Sequence, residues 1–228
     1  MEYLLIDLFA VAVPFIFTFH KKLRFDKEWT SFALGLVFIA VPFVVWDAIF
    51  TSNGVWGFSS DYLIGSYFFL LPLEELLFFV CIPYACLFTY HCFSIFWKEK
   101  SFEKLNSYGS YFLIVLSFCI GILYYDKLYT FYTALFLCVT LFVLKVLLDV
   151  KWIGKFIAVY GILLIPFSVV NGILTGSLLP SPIVWYNDAH NLGVRIGTIP
   201  VEDIFYGFLL ILLFVFIYEN NSRSTEIS

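Results

Sequence analysis

Four carboxylic acids stand in two matched pairs. Glu74 and Glu75 follow Pro72-Leu73, and Glu202 and Asp203 follow Pro200-Val201. A proline just ahead of an acid pair suits the first turn of a helix, where a missing N–H costs nothing. The helix dipole favours carboxylates there by ~0.3–1 kcal/mol at exposed sites. Ordinary acids at helix starts would read the same way. Two features argue for more. The motif occurs twice, and the residues after each pair, from Leu76 and from Ile204, are almost all apolar or aromatic. Acids at the edge of hydrocarbon are costly and tend to be functional. In a greasy cavity, one carboxyl keeps its proton while its neighbours ionise. The protonated member can donate to a weakly basic group, and the ionised members can stabilise a developing cation. Aromatic rings add cation–π stabilisation. This set suits proton-initiated carbocation chemistry on an apolar substrate.

Other residues could join them. Asp47 and Asn171 each occupy the outer end of an apolar stretch, on the same side as the acids. Asp47 either belongs to the site or caps its helix; Asn171 can orient a carboxylate by hydrogen bonding. Arg195 lies seven residues before Glu202. It is either a solvated loop charge or the partner that keeps one acid ionised. His190 lacks companions of the type and spacing a metal site needs, so no metal is expected. The five cysteines, Cys81, Cys86, Cys92, Cys119 and Cys138, lie in or beside apolar stretches and read as packing residues.

The elements that carry these residues are membrane helices. The chain of 228 residues is 62% hydrophobic and only 13% charged, too apolar for a soluble fold of its size. Nothing resembles a basic nucleic-acid face, so no nucleic-acid partner is expected. Seven stretches are long enough to cross ~30 Å of hydrocarbon as helices: residues 3–19, 31–50, 71–96, 108–125, 128–148, 155–174 and 200–218. They are too long and uniformly apolar for barrel strands. Glu2 and Asp7 open the chain and no cation occurs before Lys21, so the first stretch reads as a permanent span rather than a signal peptide. Eleven of the thirteen Lys and Arg residues fall on one side of this topology, and only Lys127 and Arg195 on the other. The positive-inside rule then puts the N-terminus outside and the C-terminal tail, with Arg223, in the cytoplasm.

An internal repeat organises the spans. Pro42-Phe43, Asp47, Ile49 and Thr51 match Pro166-Phe167, Asn171, Ile173 and Thr175 at an offset of 124. Gly65, Pro72, Glu74 and Glu75 match Gly193, Pro200, Glu202 and Asp203 at an offset of 128. The expected fold is therefore an all-α membrane protein of seven transmembrane helices: two parallel three-helix repeats joined by a linker helix. The first repeat covers 1–107, the linker helix 108–127, and the second repeat with a short cytoplasmic tail 128–228. A linker span lets both triplets enter the membrane in the same direction, with a site at their interface.

The paired Pro-x-Glu-Glu/Asp motifs, the repeated three-span unit and the length resemble the integral-membrane lycopene cyclases of bacteria, archaea and fungi. The resemblance is to their fused form and covers nearly the whole chain. It implies a cofactor-free, redox-neutral lycopene β-cyclase. An acid protonates the terminal double bond of a linear carotenoid, the neighbouring double bond closes a six-membered ring, and a base removes a proton from the tertiary carbocation. Loss of a different proton would give an ε-ring, and relatives act on other carotenoid or prenyl chains. Glu74, Glu75, Glu202 and Asp203 are the implied acid and cation-stabilising residues, without distinction as to which starts the reaction; Asp47 joins them by its repeat position. Asn171, Arg195, Pro72 and Pro200 are expected to orient or contact substrate. The implied partners are lycopene or a similar linear carotenoid and membrane lipid, with room for association with other carotenoid-pathway enzymes. The implied location is a membrane, the bacterial inner membrane above all. The halves are chemically unequal, since Asp203 replaces Glu and Asn171 replaces Asp. One dominant acid site is expected rather than two equivalent ones.

Three other readings remain at this stage. Repeats with intramembrane acids also mark proton-coupled transporters, but here the acids cluster near one face with no polar trail across. A retinal protein of the usual kind needs a lysine in the last span, which has none. A non-catalytic scaffold would not depend on the acids.

Overall fold

The computed structural model describes the backbone of residues 1–226 and side chains through Asn221. Ile227 and Ser228, and the Arg223 side chain counted above, lie outside the described residues. The described residues fold into seven helical rods: α1 (Glu2–Phe17), α2 (Phe25–Ser52), α3 (Leu73–Phe96), α4 (Leu105–Leu123), α5 (Leu128–Leu147), α6 (Ile153–Leu174) and α7 (Val201–Glu226). Helices satisfy their own backbone groups, which hydrocarbon cannot do for them. Six of them, α2 to α7, are long and apolar enough to span a membrane. With α1 beside them, the protein is an all-α integral membrane protein. α1 has 16 residues and ends at Phe17, two short of the expected limit. The Thr18 hydroxyl bonds back to the Pro14 carbonyl there. At its start, the Met1 amino group donates to the Tyr62 carbonyl at 2.6 Å and pairs with Glu2.

Prolines interrupt several rods. In α2, a π-helical turn at Leu36–Ala40 precedes Pro42, whose ring removes one donor and crowds the preceding turn. The widened turn absorbs both effects. Two further π turns, Leu105–Gly109 and Val143–Leu147, begin α4 and end α5.

α7 is the hub. It packs against α2, α3, α5 and α6, while α1 lies on α3 and α4 on α5. Buried Phe208, Leu212 and Phe214 of α7 meet Phe32, Phe156 and Tyr160 from α2 and α6. With lipid as apolar as the core, close packing decides such interfaces. A polar knot joins α3, α6 and α7 away from the acids. Lys155 Nζ sits 3.1 Å from Glu219 and over the Tyr90 ring, while Tyr90 also donates to Glu219.

Short strands shape the end that holds the acids. β1 (Trp56–Phe58) after α2 pairs antiparallel with β4 (Val184–Tyr186) after α6. β2 (Tyr67–Phe68) pairs with β3 (Leu71–Pro72) just ahead of α3. β5 (Arg195–Ile196) pairs with β6 (Ile199–Pro200) just ahead of α7. The prolines therefore end strands rather than begin helices: Pro72 is extended (φ −64°, ψ 152°) and the helix starts at Leu73. Proline's fixed φ fits either state, and the hairpin pairing selects the extended one.

Packing at Gly35 is testable. A Cβ there would lie 2.5 Å from the Phe214 ring, whereas one at Gly161 would meet nothing within 4 Å. Gly35→Ala is expected to cost about 1–3 kcal/mol by forcing α2 from α7. Its thermal midpoint in detergent should fall, while that of Gly161→Ala holds or rises.

Candidate functional site

The two acid motifs fold alike, position by position. Gly65 (φ 89°) and Gly193 (φ 69°) take left-handed turns that other residues rarely adopt. Leu73 N–H then donates to the Ser66 carbonyl at 2.9 Å, and Val201 N–H to the Val194 carbonyl at 3.0 Å. Each bond satisfies an amide that a helix start would leave open. Consecutive helix residues point about 100° apart, so the two acids of each pair cannot share a direction.

The first acid of each pair turns back to hold its loop. Glu74 Oε1 accepts from Ile64 N–H at 2.6 Å, and Glu202 Oε1 accepts from Leu192 N–H at 2.8 Å and from the Thr130 hydroxyl at 2.6 Å. Neither lines the main cavity; Glu202 borders a separate void of about 30 Å³.

The second acid of each pair, Glu75 and Asp203, lines a cavity of about 320 Å³ together with Asp47 and Asn171. Its walls come from α1, α3, α6 and α7, closed at the acid end by Asp47 of α2, Tyr129 of α5 and the β1–β4 strands. Along α3 the lining runs from Glu75 to Thr89, which at 1.5 Å per residue is about 21 Å. Beyond the acids the walls are mostly apolar, with Pro14, Ile82, Leu163 and Leu210 among them. The shape suits a long hydrocarbon whose end group reaches the carboxyls.

The two cavity acids are held differently. Tyr3 O–H donates to Glu75 Oε2 at 2.5 Å, and Glu75 lies within hydrogen-bonding reach of Asp47. Asp47 Oδ1 accepts from Trp56 Nε1 at 2.5 Å and from the Thr51 hydroxyl at 3.3 Å, whereas Oδ2 has no N–H or O–H partner among the described residues. Two carboxyl groups bond to each other only through a proton. Asp203 has donors on both oxygens: Tyr129 O–H at 2.6 Å on Oδ1, Asn171 Nδ2 at 3.0 Å and Tyr186 O–H at 2.9 Å on Oδ2. Three donors suit an ionised carboxylate. Asn171 thus occupies beside Asp203 the place Asp47 takes beside Glu75, supplying an N–H where the acid must share a proton.

Aromatic rings cover the gap. The Trp56 and Tyr129 rings lie 5.0 Å apart, each has Tyr186 and Tyr206 within 6.0–6.2 Å, and all four line the cavity. Their faces can stabilise a cation in a desolvated setting.

Arg195 touches none of the acids. It pairs with Asp188 at 2.7 Å, donates to the Thr198 carbonyl at 3.0 Å and lies over the Tyr186 ring. The guanidinium's hydrogen bond holds the Asp188 carboxyl below its ordinary range. Arg195 is therefore a loop charge held by Asp188, and it acts on Asp203 through space without a direct contact. Pro72 and Pro200 do not line the cavity either; they position the acids through the hairpins. Sequence reasoning missed the tyrosines. Tyr3 and Tyr129 are 126 residues apart, between the two repeat offsets, and that spacing was the available signal.

Fold and site together define an integral membrane protein with a long apolar cavity closed by carboxyl groups. A family model described as lycopene cyclase matches residues 1–93 and 126–220. The chain belongs to the lycopene cyclase family, and so to the carotenoid cyclases of carotenoid biosynthesis. Comparisons with curated proteins and with solved structures return no match.

The loop-holding role of Glu202 has a measurable signature. Glu202→Ala strands the part-buried Leu192 N–H and the buried Thr130 hydroxyl and is expected to cost about 1–3 kcal/mol. Glu202→Gln keeps the acceptor and should unfold within a few degrees of the parent in a thermal melt.

Proposed function

We propose that this chain is a lycopene β-cyclase in which the Asp47–Glu75 pair supplies the proton and Asp203 removes one. Glu75, sharing a proton with Asp47, protonates the terminal double bond of a linear carotenoid lying along the cavity. The neighbouring double bond attacks, closing a six-membered ring and leaving a tertiary cation. Asp203, ionised among its three donors, takes a ring proton and leaves the β-ring double bond. One proton enters and one leaves, so the reaction is redox-neutral. Trp56, Tyr129, Tyr186 and Tyr206 stabilise the cation through their ring faces. Glu74 and Glu202 fix the loops, Asn171 orients Asp203, and Arg195, held by Asp188, steadies Tyr186.

The observation that carries this reading is the unequal pairing: acid against acid at Glu75, amide against acid at Asp203, in one apolar cavity. It suits a donor and an acceptor facing one substrate. Two three-helix units, α1–α3 and α5–α7, with α4 as linker, support the same account. The matched family segments flank 94–125, the residues that contain α4, and the hairpin, loop-holding and tyrosine contacts recur in each unit. In this reading the units are parallel and both acid motifs face outward, with the N-terminus outside and the tail in the cytoplasm. The bacterial inner membrane and contact with neighbouring pathway enzymes belong to the same proposal.

Expression in cells that accumulate lycopene, with pigments resolved by chromatography, tests it. The parent chain should convert lycopene to β-ring products. Glu75→Gln and Asp203→Asn should each lower conversion by about 10²-fold or more, while Glu74→Gln retains most of it. Unchanged lycopene with folded parent protein would refute the activity; ε-ring products would refute the ring assignment. Asn171→Asp gives Asp203 an acid neighbour that demands a proton. Conversion should fall about 10-fold or more at neutral pH, with protein level unchanged on immunoblot.

A further inference from the structure

Asp7 is fully buried, 0% exposed, and neither of its oxygens has a hydrogen-bond partner among the described residues. A buried carboxyl without partners is expensive, and its retention calls for a reason. It lies one turn along α1 from Tyr3, on the same helical face. Tyr3 in turn donates to Glu75. Across from it, α3 presents Glu74 and Cys81, seven residues apart on one stripe, and Asp7 interacts electrostatically with both and with Glu75. Glu74 Oε2 is likewise buried without a partner. Asp7 does not line the cavity, so it does not touch substrate.

The matching place in the second unit is neutral. At the 126 offset that relates Tyr3 to Tyr129, Asp7 corresponds to Thr133, which borders the small void beside Glu202. The first unit therefore gathers Asp7, Asp47, Glu74 and Glu75, where the second has only Glu202 and Asp203 at matching positions. The N-terminal ammonium nearby is engaged by Glu2 and Tyr62. Four buried carboxyls without a cation among them cannot all be charged.

We propose that Asp7 is a positioning residue that stores a proton behind α3 and recharges Glu75 after each turnover. The inference rests on the cyclase reading above. Glu75 gives its proton to the substrate's double bond. Asp7 is not bonded to Tyr3 at rest; a shift of the Tyr3 side chain toward Asp7 then lets its hydroxyl take the Asp7 proton as it releases its own to Glu75. Asp7 is refilled from the outer aqueous phase through the Glu74 loop, and Asp203 returns the ring proton to that phase. Proton count is conserved, and no oxidant or metal enters. Groups able to shift the pH response are Tyr3 on α1, Glu74, Glu75 and Cys81 on α3, and Asp47 on α2. On α6, the other helix against α1, Tyr160 bonds to the Ile204 carbonyl and Lys155 to Glu219.

The test uses the purified full chain in lipid vesicles loaded with lycopene, reading product per enzyme over time and pH. Asp7→Asn should keep the first turnover but slow the steady state about 10-fold or more. Its rate should climb toward acid pH, because solution protons must then recharge Glu75 unaided. Asp7→Glu should recover much of the parental rate, and Asp7→Leu should behave like Asn while melting no lower than the parent. Parental steady-state rate and pH profile in Asp7→Asn, beside an inactive Glu75→Gln, would overturn the proposal. So would equal loss of first turnover and steady state in Asp7→Asn, which marks a structural role. No cyclic product from the parent chain overturns the cyclase reading itself, a separate outcome.

Discussion

A buried carboxyl group facing another carboxyl group must share a proton with it, whereas one facing an amide need not. The cavity is built on that distinction. Asp47 stands beside Glu75 and Asn171 beside Asp203, and in the proposed reaction that exchange of acid for amide separates a proton donor from a proton acceptor. The apolar surroundings strengthen the distinction, because water is not at hand to hydrate a second charge.

The fold holds this chemistry in place with few parts. Hairpins ahead of α3 and α7 set the helix starts, the first acid of each motif ties the preceding loop, and the second is thereby aimed inward. The β1–β4 pairing links the loops after α2 and α6 and brings Trp56 to Asp47 and Tyr186 to Asp203. α7, wedged among four helices, fixes Asp203 and Tyr206 against a rigid core. α1, which carries Tyr3, Asp7 and one wall of the cavity, lies along α3 and meets α6 only briefly.

Much of this was legible in the sequence, for physical reasons. The length of each apolar stretch bounds a membrane helix, so six spans emerged, four of them within three residues of their limits, while α2 begins six residues earlier and α7 ends eight later than expected. Asp47 and Asn171 could be picked out because their flanking Pro-Phe and Thr residues repeat at a constant spacing. The split within each acid pair was less visible. Both Glu74 and Glu75 read as site residues from type and spacing, and only the helix's angular step assigns one to the loop and the other to the cavity. For Arg195 the sequence left two readings, a loop charge or an acid's partner; its ion pair with Asp188, seven residues away in the other direction, depends on the fold of the loop. Tyr186 and Trp56 depend on strand pairing between distant loops, which no local pattern encodes. Asp7 read as a charge at the start of the chain, since nothing in its neighbours announces that the helix buries it against α3.

The central claim is that Glu75 and Asp47 hold one proton between them while Asp203 is ionised. Infrared spectroscopy of the lipid-reconstituted chain at neutral pH addresses it directly, because a protonated carboxyl has a C=O stretch distinct from a carboxylate and sensitive to deuterium exchange. One such component should vanish alike in Glu75→Gln and in Asp47→Asn and persist in Asp203→Asn. Its survival in both of the first two variants, or its loss only in the third, would contradict the account.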